Sequence, residues 1–129
     1  EAGIKKIDAG NFSLQLDTTA FNKSMTFNAD NHIAYFDADK ITYPLTIRRW
    51  KAGDYLYPLG LTKRKSDKPG KKKVSDILTN AKADTLAKEN TFVILSGEKI
   101  IWLIGFRQDE RFKTTNSTRN LLKIKMLPK

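Results

Sequence analysis

The chain has 129 residues, no cysteine, one histidine and a formal net charge of +10. That length suits one domain with an ordinary core, and the missing thiols exclude disulfides and the thiolate ligands of most structural zinc sites. The charge is uneven: residues 1–47 carry four Lys against six acids, and residues 48–129 carry twenty Lys and Arg against eight.

The excess in the second part points to a phosphate-rich partner there. No apolar run approaches the roughly 18 residues that span a bilayer, and residues 1–10 lack the apolar segment of a secretory leader. A soluble, cytoplasmic protein with no membrane partner is expected.

Residues 1–10 read as a leader or the end of a preceding linker, and residues 11–129 as a single domain. Phe12, Leu14 and Leu16 alternate with Ser13, Gln15 and Asp17, the period of a half-buried strand. Residues 33–37 and 43–50 predict two more, the second with Leu45 and Ile47 on one face and Thr46 and Arg48 on the other. Gly53-Asp54 marks a turn, and residues 55–60 a short extended piece closed by Gly60.

Residues 63–73 then pack seven basic side chains into eleven positions against one acid, Asp67. The turn pair Pro69-Gly70 and the absence of apolar residues predict a solvated loop. At Val74 the period changes. Val74, Ile77, Leu78 and Ala81 fall at i, i+3, i+4 and i+7, one face of a helix with Asp76 in its first turn.

Asp84 is the N-cap of a second helical piece through Lys88. Residues 92–95 and 100–106, joined by a turn over 96–99, predict a hairpin whose second strand is buried on both faces. Leu122, Ile124 and Met126, alternating with Lys123 and Lys125, form a last strand. Six or seven strands and one or two short helices make an α+β domain of mainly antiparallel sheet.

Three constellations carry chemistry. Lys71, Lys72 and Lys73 abut the expected helix start, where ammonium groups and backbone N–H groups together suit a phosphate. Arg48, Arg49 and Lys51 flank Trp50 at a strand end, where Arg binds phosphate bidentately. Trp50 reads first as core, with stacking on a base or an Arg plane as the alternative. Residues 107–113 mix acids with arginines and read equally as a surface ion-pair cluster or a basic site.

Asp54 and Asp76 are the best-placed carboxylates for hydrolysis, but a turn and a helix start explain each of them structurally. His32, alone, makes no metal site. No G-x-x-x-x-G-K-[ST] phosphate loop occurs.

The combination resembles the C-terminal domain of bacterial tRNA(Ile)-lysidine synthetase. The matching stretches are Arg48-Arg49-Trp50-Lys51-Ala52-Gly53-Asp54 with Pro58 and Gly60, Lys72-Lys73-Val74-Ser75-Asp76 with Lys82, and Ile100-Ile101-Trp102-Leu103-Ile104-Gly105 with Arg107, Arg111 and Phe112. The segment 62–69 is longer than the family's usual link. Asp84 and Phe92 stand where many members have proline, and Lys88 where many have arginine.

The resemblance implies a β/β/α layered fold shared with part of the phenylalanyl-tRNA synthetase β subunit. It also implies a parent ligase that uses ATP, with Mg2+, to join lysine to the wobble cytidine of an isoleucine tRNA with a CAU anticodon. The catalytic PP-loop domain carries S-G-G-x-D-S, a string missing from this chain. A non-catalytic fragment without a cofactor of its own is therefore expected, its partners being that tRNA and the parent's N-terminal domain. Its role would be to grip the acceptor stem, with Arg64, Lys65, Lys71, Lys72 and Lys73 on phosphates and Arg48, Arg49 and Lys82 next. A general RNA-binding module is the alternative, as is a bracing or homodimerising domain.

Overall fold

The computed structural model describes residues 3–27, 30–60 and 70–128. In chain order the first strands are β1 (Gly3–Asp8), β2 (Phe12–Ala20), β3 (Ile33–Asp37), β4 (Leu45–Arg49), β5 (Tyr55–Leu56) and β6 (Lys72–Lys73). The helices α1 (Val74–Asn80) and α2 (Thr85–Glu89) follow, then β7 (Phe92–Ser96), β8 (Lys99–Leu103), β9 (Arg107–Gln108) and β10 (Asn120–Pro128). All the strand pairs are antiparallel, so the fold is the expected α+β class, mainly antiparallel sheet with two short helices. No helix among the described residues is long and apolar enough to cross a membrane.

Across the span expected as one domain, contacts concentrate in two compact units. One comprises Glu1–Ile41 and Phe112–Lys129; the other is Thr42–Arg111. The first unit holds a four-stranded sheet in the order β1-β2-β10-β3. Register places Leu16, Ile124 and Ala34 in one cross-strand row, and all three are buried. The neighbouring row carries Asp17, Lys123 and Tyr35 on the opposite face, as the period of two requires.

Within the stretch expected as a leader or the end of a preceding linker, residues 3–8 form the edge strand β1 along β2. An edge strand is held by its backbone ladder, and exposed lysines such as Lys5 and Lys6 suit an edge. That composition carries no hydrophobic period to betray it.

The second unit holds the sheet β4-β7-β8-β9 and the ribbon β5-β6. Its core gathers Leu56, Val74, Leu78, Val93 and Leu103, all fully buried, with Ile77, Leu95 and Ile100 around them. At seven residues α1 is too short to persist alone. Burial of Val74, Ile77 and Leu78, at about 1.5–3 kcal/mol each, holds it in place.

Ala81, expected on that face, is instead the exposed C-cap. The helix ends in a Schellman turn, with Ala83 N–H on the Leu78 carbonyl (3.0 Å) and Lys82 N–H on Thr79 (3.0 Å). Lys82 occupies the left-handed position of that turn, at φ 57°. Asp84 caps α2 as expected, accepting from Ala87 N–H at 2.8 Å. The strand expected through residue 106 stops at Leu103, and Ile104, Gly105 and Phe106 form a turn with Gly105 at φ 87°.

Candidate nucleic-acid interface

β4 delivers Arg48 and Arg49 to a corner closed by Asp54. The Arg48 guanidinium grips the Asp54 carboxylate bidentately, Nη1 to Oδ2 at 2.8 Å and Nη2 to Oδ1 at 2.9 Å. Arg48 Nη1 also donates to the Arg49 carbonyl at 3.0 Å, and Lys51 N–H donates to Asp54 Oδ2 at 2.8 Å. Burial by itself pushes the Asp54 carboxyl up. The Arg48 hydrogen bonds, the Lys51 amide and the charges of Arg48 and Lys51 outweigh it and hold Asp54 below its ordinary 3.8. The same hydrogen bond raises Arg48 above its ordinary value.

Arg48, expected on phosphate, is therefore committed to a structural pair. Asp54 is likewise held at the corner, where the Arg48 pair and the Lys51 amide account for its carboxylate. Asp76 is exposed in the first turn of α1. Among the described residues no three His, Cys, Asp or Glu side chains gather around a common point.

The corner fixes the lysines beside it. Val74 N–H, at the start of α1, donates to the Asp54 carbonyl at 2.9 Å. That removes one of the free helix-start donors that a phosphate cradle would use. β6 pairs Lys73 with Tyr55 and Lys72 with Leu56. Leu56 is fully buried, so Lys72, opposite it, lays its half-buried stem on the inner side of the ribbon.

Lys73 shares the outer side with Tyr55, and Lys71 Nζ lies 3.9 Å from the centre of the Tyr55 ring. Three adjacent lysines thus split by strand pleat: Lys71 and Lys73 face out with Tyr55, while Lys72 does not. None of the three forms an ion pair with a described residue.

The remaining expected residues scatter more widely. Arg49 is exposed, its guanidinium 5.5 Å from the Phe92 ring centre. Lys82 is exposed at the far end of α1, about 10 Å along the helix from the ribbon. Arg64 and Lys65, with the rest of 61–69, lie outside the described residues.

Residues 107–113 prove to be mostly structural. Asp109 is completely buried and receives Arg111 N–H (2.7 Å), Arg111 Nε (3.0 Å), Arg111 Nη2 (2.9 Å) and Tyr57 N–H (3.0 Å). Arg111 also lies 4.3 Å from the Tyr57 ring centre, and Arg107 donates to the Leu59 carbonyl at 2.8 Å. Together these contacts staple the segment after β5 onto the edge of the second unit's sheet. An acid two residues from an arginine was the visible signal; its burial was not.

Trp50 is largely the core residue expected first. It packs against the core cluster and donates from Nε1 to the Lys88 carbonyl at 2.6 Å. It also lines an open groove of about 370 Å³ with Arg49, Lys51, Thr85, Lys88 and Glu89.

No family model matches the chain. It is 39% identical over 98 residues to the tRNA(Ile)-lysidine synthase of Parabacteroides distasonis, covering 76% of this chain and 21% of that protein. The Bacteroides thetaiotaomicron enzyme of the same name is 35% identical over 116 residues, 90% of this chain and 26% of its own length. The chain thus spans about a quarter or less of these relatives. A solved crystal structure of a TilS C-terminal domain superposes with a TM-score of 0.69 at 16% identity, covering 89% of this chain and 84% of the other.

Proposed function

This chain belongs to the family of tRNA(Ile)-lysidine synthase C-terminal domains, and from that premise we propose that it is the tRNA-gripping part of a lysine–tRNA ligase. In this reading the parent enzyme uses ATP and Mg2+ in its PP-loop domain, in the cytoplasm, to join lysine to the wobble cytidine of the isoleucine tRNA. The present chain holds the acceptor stem and performs no chemistry.

The observation that carries the reading is the outer face of the β5-β6 ribbon. There Lys71 and Lys73, neither ion-paired to a described residue, flank Tyr55 on a support fixed by the Arg48–Asp54 pair. A-form RNA hides its major-groove edges, so a stem is met through phosphates, shape and 2′-hydroxyls. Lysines on a rigid ribbon supply mobile point charges to such a backbone, while the paired arginines keep the ribbon in place. Arg49 and Lys82 extend the same positive field.

The test is binding of an isoleucine tRNA with a CAU anticodon, an acceptor-stem minihelix and an unrelated stem-loop, each titrated over salt. Preference for the first two is expected, with a steep salt slope. Replacing Lys71, Lys72 and Lys73 by Ala should flatten that slope by about 2, at just under one per lost phosphate contact. An unchanged slope in a folded triple variant would overturn the assignment. Equal binding of all three RNAs would reduce the domain to a general RNA binder.

A further inference from the structure

We propose that the groove between the end of β4 and α2 holds a single unpaired RNA nucleotide, its base against Trp50 and its phosphate on Arg49 and Lys51. This deepens the RNA reading and rests on it, but it stands on residues away from the β5-β6 ribbon. The groove, at about 370 Å³, falls in the range of small-ligand sites.

The Trp50 polar edge is already satisfied by the Lys88 carbonyl, and its body is braced by the core, so the groove meets apolar indole held in a fixed position. Three cations, Arg49, Lys51 and Lys88, line the groove against one acid, Glu89. A fixed aromatic with positive charge beside it is the chemistry of base stacking with phosphate neutralisation, and every base has a face to stack. Paired bases stay inside their helix, whereas an unpaired nucleotide beside a stem can be splayed into a pocket. A free mononucleotide offers the same two groups, so the source must be separated by experiment.

The chain itself provides the reporter. Trp102 is only 2% exposed, so a base entering the groove changes the emission of Trp50 alone. Emission is followed while adding a stem with a short single-stranded 3′ overhang, the same stem made blunt, the overhang strand alone, and AMP or CMP. Anisotropy of labelled stems gives affinity in parallel.

Saturable quenching by the overhang stem and the single strand, without quenching by the bound blunt stem, is the expected result. Trp50→Leu should then weaken the overhang stem at least about fivefold, removing the stacking contribution, and leave blunt-stem affinity unchanged. Quenching by AMP or CMP as tight as by the strand would overturn the RNA assignment in favour of a free nucleotide. No quenching by any of them would overturn the groove altogether. Blunt-stem affinity, read in the same samples, judges the grip on the stem separately.

Discussion

The Arg48–Asp54 corner runs directly into the β5-β6 ribbon, and Val74 N–H just past β6 donates to the Asp54 carbonyl, yet corner and ribbon treat positive charge in opposite ways. At the corner, and again at Arg111–Asp109, a planar guanidinium is matched bidentately to a carboxylate that is itself mostly or wholly buried. On the ribbon, ammonium groups stand without an ion-pair partner among the described residues, one of them over a tyrosine ring. The contrast follows from side-chain chemistry. A guanidinium fork suits fixed multiple hydrogen bonds, whereas a hydrated ammonium on a flexible stem suits a surface that must meet phosphates. Arginine here builds the platform; lysine supplies the field.

Breaking the platform should give the largest effects. Arg111→Ala leaves the carboxylate of Asp109 buried without its charge partner, and about 3–5 kcal/mol of stability should be lost in urea or thermal unfolding. A loss below about 1 kcal/mol would mean that the pair does not hold the segment after β5.

Arg48→Ala should cost less, about 2–3 kcal/mol, because the Lys51 amide still serves Asp54 and the site is nearer to solvent. The same pair has a pH signature. Asp54 is lower in the folded chain than its ordinary 3.8, so the pairing stabilises fully above about pH 4. That contribution disappears as pH falls through the lower folded value. Asp54→Asn should flatten the acid limb of the stability curve over that window, and an unchanged limb would contradict the pairing.

The Lys71, Lys72 and Lys73 triple variant sharpens the comparison from the other side. Its stability should stay within about 1 kcal/mol of the parent, as expected of surface substitutions that lose one cation–π contact. Its affinity for tRNA should nevertheless fall tenfold or more, about 1.4 kcal/mol, at moderate salt. If unfolding and binding change together, the ribbon is structural after all.

The smallest effect belongs to Lys82. A left-handed backbone costs a non-glycine residue about 1–2 kcal/mol, partly offset by the greater chain entropy of glycine. Lys82→Gly should therefore raise stability by up to about 1 kcal/mol and weaken RNA binding slightly. A rise in stability with binding intact would remove Lys82 from the interface.

Local patterns made much of both units legible. The apolar spacing of Val74, Ile77 and Leu78 marked α1, and Asp84 marked the cap of α2. Alternation marked β2 and β10, and the apolar runs around Gly97 marked the hairpin of β7 and β8. β1 escaped because a lysine-bearing edge strand is held by backbone bonds that leave no hydrophobic period. The end of β8 escaped because Ile104 and Phe106 continue an apolar run straight through a turn.

In the candidate site, the position and sign of the charge were legible and the pairing was not. Arg48 and Lys73 look equally basic in a string of letters. Asp54 lies six residues after Arg48, and Tyr55 lies eighteen before Lys73, so which cation meets a carboxylate and which meets a ring is settled only when the segments fold back.

By itself the sequence determined the fold class, the two helices, the family and the concentration of positive charge beyond residue 47. These are set by local period, capping chemistry and composition, which neighbouring residues carry between them. Tertiary structure alone decided that Arg48 and Arg111 are pillars, that Lys71 and Lys73 face outward while Lys72 lies inward, and that Trp50 opens onto a groove. Each of these depends on burial and strand register, which are set where distant segments pack together, even when, as for Arg111 and Asp109, the paired residues are near neighbours in the chain.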